Sequence, residues 1–332
     1  MQYVVSSIPS DGANKKEQKM NQFYQQNSAI TPKSWFYSFW KFSRPHTIMG
    51  TTLSVLGLYL ITLGVTSTNF SGLHISQILA TWVACISGNI YIVGLNQLED
   101  IDIDKINKPD LPLASGEFTR GQGQLIVIIA GVVALALAWL TGPFLMGMVT
   151  ISLAIGTAYS LPPIRLKQFP FWAALCIFSV RGTIVNLGLF LHFSWVLQSS
   201  QGIPGAVWAL TVFILVFTFA IAIFKDIPDM EGDRFYNITT FTLQLGQQKV
   251  FNLALWVLTI CYLGMILVAL FHLAEVNTIF ILITHTVALI VLWWQGAGVD
   301  LQDKQAIANF YQFIWKLFFI EYLIFPVSCL LA

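Results

Sequence analysis

Charge is what this 332-residue chain has least of: Asp, Glu, Lys and Arg make up 10% of it, against 56% apolar residues. A soluble domain carries about 25% charged residues, so this chain lacks the polar material to cover a water-facing surface of its size. The 14% aromatic content excludes a disordered chain as well. A net charge of +1 provides no field to steer nucleic acid, and no nucleic-acid partner is expected. Cysteine is scarce and scattered: Cys85, Cys176, Cys261 and Cys329 lie inside apolar runs, with no C-x-x-C or other metal-binding spacing. They read as buried free thiols. The apolar runs do not alternate with period 2, which excludes a membrane barrel. No short apolar segment with a small-residue cleavage site follows the basic start, so a secretory signal is not expected.

What is abundant is long apolar stretches. Nine recur, at 46–67, 75–98, 122–141, 143–161, 170–196, 205–225, 250–272, 277–296 and 309–331. About 20 apolar residues in a helix cross the hydrocarbon core, and lipid offers no partner to an open backbone, so helices are the physical choice. Pro45, Pro143, Pro170 and Pro204 stand at or near the starts, where a missing N–H costs little. The basic residues fall on every second connection. Those after the second, fourth, sixth and eighth runs carry Lys105, Lys108 and Arg120; Arg165 and Lys167; Lys225, Arg234 and Lys249; and Lys304. The intervening connections carry none, the positive-inside pattern of a multi-pass integral membrane protein. The expected fold is all-α: nine transmembrane helices bundled around a central cavity in residues 41–332. Residues 1–40 form a polar, flexible amino-terminal segment, read either as a basic tail at the membrane surface or as an organelle transit peptide.

Ten of the sixteen acidic residues gather in two patches on the positive side. The first holds Glu99, Asp100, Asp102, Asp104, Asp110 and Glu117, and the second Asp226, Asp229, Glu231 and Asp233. Asn96, Asp100 and Asp104 are spaced i, i+4, i+8 and drift only about 40° per step on a helix, so they share a face. Asp226, Asp229 and Asp233 do the same, unless Pro228 breaks the helix. Asn96, Asp100 and Asp104 map onto Lys225, Asp229 and Asp233 at one offset of 129 residues, so the first four helices and the next four read as a pseudo-repeat, with the ninth added. Two readings stand for the patches: solvated helix ends, or oxygen ligands for a hard divalent cation such as Mg²⁺. The neighbouring Lys105, Lys108, Lys225 and Arg234 favour the second. They have a use if the metal also carries a polyanion, and a diphosphate fits.

The connection Tyr159-Ser160-Leu-Pro-Pro-Ile-Arg165-Leu-Lys167 opens on the same side. Its residues are candidates for further diphosphate contacts, or simply anchors after a Pro-Pro stop. Arg44 and His46 open the first helix at this face, as binders of a carboxylate or phosphate or as interface anchors. Arg181 lies inside the fifth helix, where an arginine needs a polar cavity or a partner. Lys316 and Glu321 in the last helix read as an ion pair.

The strings Asn96-x₃-Asp100-x₃-Asp104 and Asp226-x₂-Asp229-x₃-Asp233, on a nine-helix chain, resemble the UbiA superfamily of intramembrane aromatic prenyltransferases. Phe42-SRPHTIMGTT, Tyr159-SLPPIRLK, Phe224-KDIPDMEGDR and Phe310-YQFIWKLFFIEY extend the resemblance from about residue 40 to the carboxyl end. It implies Mg²⁺ held by Asp100, Asp104, Asp226, Asp229 and Asp233 with Asn96 assisting. Lys105, Lys108, Tyr159, Ser160, Arg165, Lys167, Lys225 and Arg234 are then diphosphate contacts. The resemblance leaves the binder of the aromatic substrate open; Arg44, His46 and Arg181 are the candidates by their positions in the sequence. The implied reaction is transfer of a phytyl group from phytyl diphosphate to homogentisate with loss of CO₂, in tocopherol biosynthesis. The implied setting is a cyanobacterial thylakoid or plasma membrane, or a plastid membrane. Geranylgeranyl or solanesyl diphosphate, or another acceptor, is the near alternative. A cation-coupled transporter is the alternative from another class, but transporters place coupling charges near the midplane and these patches follow helix ends. Glu99 departs from the pattern, where an aromatic is expected, and could add charge to the site.

Overall fold

The computed structural model describes residues 34–68, 70–72, 74–199, 202–235, 239–271 and 273–332. Most of the polar 1–40 segment lies outside them. Its last part, Trp35–Phe42, is a helix, α1, rather than irregular chain. Then follow α2 (Pro45–Thr66), α3 (His74–Glu99), α4 (Ile101–Asn107), α5 (Arg120–Thr141), α6 (Pro143–Ser160), α7 (Pro170–Val196), α8 (Gly205–Phe224), α9 (Met230–Phe235), α10 (Phe241–Leu245), α11 (Gln247–Leu270), α12 (Thr278–Ala297) and α13 (Lys304–Leu330). Among the described residues nine helices are long and apolar enough to cross a membrane: α2, α3, α5, α6, α7, α8, α11, α12 and α13. They match the nine apolar runs within a few residues, α13 starting five residues earlier than its run.

Local chemistry sets the ends. Proline stands at the first turn of α2, α6 and α7, where its fixed φ suits the helix. Thr119 and Gln122 form a capping box at the start of α5. Asn277 and Asp303 cap α12 and α13. Gly142 turns the chain between α5 and α6 at φ +145° and packs against the Trp195 ring, a place no side chain could take.

The main core joins α2, α6, α7, α8, α11, α12 and α13, with Phe190, Phe193, Phe217, Phe224, Phe318 and Phe325 fully buried. A smaller cluster (Phe42, Leu95, Leu98, Leu113, Phe118 and Val127) locks α1 and the 108–119 connection onto α3 and α5. Large apolar side chains such as Trp139, Leu140, Ile279 and Trp294 are exposed on the outer face of the spans, as lipid-facing positions require.

The acidic segments are not the continuous helices their spacing suggested. α3 ends at Glu99, Asp100 leaves helical geometry at φ −112°, ψ 17°, and α4 restarts at Ile101. Backbone bonds from Asp100 to Asn96 (3.1 Å) and from Asp104 to Asp100 (2.7 Å) carry the register across, so the shared face survives. Residues 225–229 form a turn at Pro228, and Asp229 precedes α9. Glu321 does not pair with Lys316, which is exposed. It faces His285 of α12, with 3.4 Å between Oε2 and Nε2 and both side chains buried. Five residues along a helix point the two groups apart, and the core decides the partner.

Candidate active site

One cavity of about 530 Å³ opens between the bundle's polar end and its interior. Asn96, Asp100 and Asp104 line it from α3 and α4, and Asp226, Asp229 and Asp233 from the turn before α9 and α9 itself. Lys108, Tyr159, Arg165, Lys167, Lys225, Arg44, His46 and Arg181 line it too. The deeper wall is apolar, with Val55, Ile92, Met148, Leu153, Ile177 and Leu189. The two acidic patches, more than a hundred residues apart in sequence, therefore share one hollow.

Ion pairs and one amide clasp order the polar end. Lys167 donates to Asp100 at 2.7 Å, and Arg165 lies 3.4 Å from the same oxygen. Lys225 reaches Asp226 at 2.8 Å. Lys108, from the first patch, pairs with Asp229 of the second. Asn96 donates to Asp100 at 2.9 Å. Asn107 ties the patches together: its Oδ1 accepts from the Gly232 backbone N–H at 2.8 Å, and its Nδ2 lies 3.5 Å from Asp233 Oδ1. A Cβ at position 232 would collide with the Asn107 amide, so glycine is what admits this clasp.

The electrostatics divide the carboxylates. Asp104 and Asp233 are buried and have no ion pair among the described residues. Burial pushes the Asp104 carboxyl up to about 6, with Arg44 and Lys108 pulling it back. Burial and the neighbouring Asp229 charge push Asp233 up to about 7. Burial lowers the Lys167 ammonium, opposed by Asp100. Burial would lower Lys225 also, but the Asp226 carboxylate outweighs it and holds Lys225 well above the lysine range.

The donor set is hard oxygen, which suits Mg²⁺. Among the described residues no three His, Cys, Asp or Glu side chains already surround one point; the carboxylates face the cavity separately, three of them held by cations of the chain. Asp104 and Asp233, buried with no cation of their own, leave room for one more positive charge. The residues present thus fit a divalent cation.

Three expected contacts fall outside the lining. Lys105 turns to Asp102 at 2.8 Å. Arg234 is exposed. Ser160 is buried with its Oγ unpartnered. Each is adjacent to a lining residue, and adjacency on a helix means a 100° turn away. Glu99 is likewise outside the lining. Missed from the sequence were Asn107, Asn89, Thr240, Tyr311 and Trp315, all on the cavity wall. Asn107 could have been read as the i+3 neighbour of Asp104 on one helix face; Tyr311 and Trp315 carry no local signal among so many aromatics.

Comparison with known proteins gives consistent matches. The model of the UbiA prenyltransferase family matches residues 53–317. Over 292 residues the chain is 55% identical to a Synechocystis sp. protein named homogentisate phytyltransferase, covering 88% of this chain and 95% of that one. It is 40% identical to homogentisate phytyltransferase 1, chloroplastic, of Arabidopsis thaliana, over 87% of this chain and 74% of that one. A solved structure of a UbiA homolog from Archaeoglobus fulgidus bound to GPP and Mg²⁺ has the same fold, with a TM-score of 0.60 at 15% identity, over 89% of this chain and 100% of that one.

Proposed function

The chain belongs to the UbiA prenyltransferase family, and on that premise we propose that it moves a phytyl group from phytyl diphosphate to the ring of homogentisate, with loss of CO₂. The observation that carries this reading is the cavity in which two acidic patches and six cationic side chains meet an apolar wall. The 55% identity to a relative named for that reaction supports the choice of substrates.

Asp100, Asp104, Asp226, Asp229 and Asp233, with Asn96, would hold Mg²⁺. When bound, the metal supplies Lewis-acid neutralisation of the diphosphate leaving group. Lys108, Lys167, Lys225 and Arg165 now spend their charge on carboxylates. They are placed to turn that charge to diphosphate oxygens, with Tyr159 beside them. The allylic C–O bond breaks and its electron pair leaves with diphosphate. The electron-rich ring forms the new C–C bond and gives up a proton; the bond between the CH₂ and the carboxylate breaks, CO₂ leaves, and the electron pair left on that carbon takes up a proton to give a methyl group. The apolar wall takes the isoprenoid, each buried CH₂ contributing about 0.8 kcal/mol, and keeps water from the developing allylic cation. We assign the protein to a cyanobacterial thylakoid or plasma membrane, or to a plastid membrane.

The test is a membrane assay with labelled homogentisate and a panel of phytyl, geranylgeranyl and solanesyl diphosphates, with product mass measured. The phytyl adduct, formed with one CO₂ per turnover, is the expected product. A preference for another diphosphate would move the donor assignment while keeping the reaction class. Release of no diphosphate with any acceptor, alongside cation-driven uptake into liposomes, would sink the reading in favour of a transporter.

A further inference from the structure

We infer that Arg181, which lines the cavity from mid-span of α7, anchors the acceptor's carboxylate. This rests on the transferase reading above and deepens it by saying which end of the cavity selects an aromatic acid.

Arg181 sits at mid-span of α7, where burying a guanidinium is costly. Three features of the fold serve to put it there. Residues Ser179–Ile184 wind as a π-helix, a wide turn that re-aims one side chain. Gly182 lets that turn press onto the backbone of Leu215 in α8. Gly50 of α2 leaves space on the other side: a Cβ there would stand 3.1 Å from Arg181 Nη1. The guanidinium then lies over the Trp315 ring at 5.0 Å and the Phe318 ring at 5.5 Å. These faces offset part of the desolvation, and the residue lines the cavity.

No carboxylate answers it. Among the described residues Arg181 has neither an ion pair nor a side-chain hydrogen bond, while Lys108, Arg165, Lys167 and Lys225 each have a carboxylate. The Trp315 ring it lies over is itself only 4% exposed. A guanidinium fork held against ring faces and left without a carboxylate calls for an anion with two oxygens in a plane.

The diphosphate is poorly placed to be that anion. Arg165 and Lys167 precede α7, whereas Arg181 stands eleven residues into it, about 16 Å along its axis, and so belongs to the inner part of the cavity. An arylacetic acid bridges the two ends: its carboxylate on Arg181, and its ring alongside Trp315 and the His46 ring that meets Trp315 edge-on at 4.8 Å.

The experiment compares wild type, Arg181→Met and Arg181→Lys in proteoliposomes, with KM measured separately for homogentisate and for phytyl diphosphate. Homogentisate methyl ester, which cannot lose CO₂, serves as a neutral competitor, its inhibition constant compared with that of the acid. The expected result is an acceptor KM raised by about 10- to 100-fold in both variants, the factor a charged hydrogen bond carries, with the donor KM unchanged. Lysine fails too because it lacks the planar fork and the stacking face. Wild type should favour the acid over its ester, and Arg181→Met should treat the two alike. Should Arg181→Met not fold, Arg181→Lys and Trp315→Phe make the same comparison. An unchanged preference for the acid in any variant that still binds the donor overturns the subsite, as does its loss in Arg44→Met alone. Failure of wild type to prenylate any aromatic acid would instead remove the transferase reading beneath it.

Discussion

Lys108 and Asp229 come from different acidic segments and meet across the cavity; each is a partner that a substrate complex can replace. Asp100→Ala or Asp229→Ala should lower product formation by about 10³-fold or more, since the loss of one preorganised charge contact at a reacting diphosphate is of that order. Membrane insertion and the thermal unfolding temperature in detergent should stay near those of wild type, because both groups border a cavity rather than the core; wild-type turnover in either variant would remove the metal assignment. Lys108→Met should raise the KM for the prenyl diphosphate by about 10- to 100-fold. Freed from that ammonium, Asp229 should also bind Mn²⁺ more tightly in the absence of diphosphate, read by electron paramagnetic resonance. At this scale the sequence revealed the residue types but not their directions. Asp100 and Lys167 were legible as candidates. Lys105 and Arg234 were equally good by proximity and turn away, to Asp102 and to the exterior.

Among the elements, α2 and α13 show how small residues set a helix contact. Gly50, Gly57 and Gly64 recur every seventh residue along α2 and face α13 at Phe318, Tyr322 and Cys329. A Cβ at Gly64 would lie 2.8 Å from the Cys329 carbonyl oxygen, and one at Gly57 3.1 Å from that of Tyr322. Backbones this close gain dispersion that lipid cannot match. Gly64→Leu should therefore force the helices apart and cost about 1–3 kcal/mol, seen as a lower unfolding temperature in detergent. The same seam carries Tyr322, whose hydroxyl donates to Asn186 Oδ1 at 2.6 Å, and Asn186 in turn donates to the Gly182 carbonyl at 2.7 Å. The contact between α2 and α13 is thus coupled to the π-turn that presents Arg181.

For the molecule as a whole, the alternation of basic connections places the cavity mouth on the positive side of the bilayer. Single cysteines should report this. Gln302→Cys, in the connection before α13, should react with an impermeant maleimide from that side only, and Ala274→Cys, between α11 and α12, from the opposite side only. Labelling of both from one face would break the topology. EDTA should silence the enzyme and added Mg²⁺ restore it; full turnover in excess chelator would leave the carboxylates without the role proposed for them.

The number of spans and their ends were written in the chain, because hydrophobic length and proline at first turns act locally. The acidic segments were written there too, since so few charges occur in so apolar a chain. Only the tertiary structure decided which groups meet: Lys108 with Asp229, Asn107 with Gly232 and Asp233, His285 with Glu321, and Arg181 with Trp315. Most of these pairs join residues over a hundred positions apart, and such meetings are fixed by how closely helices can pack, a property of shape that no local window contains.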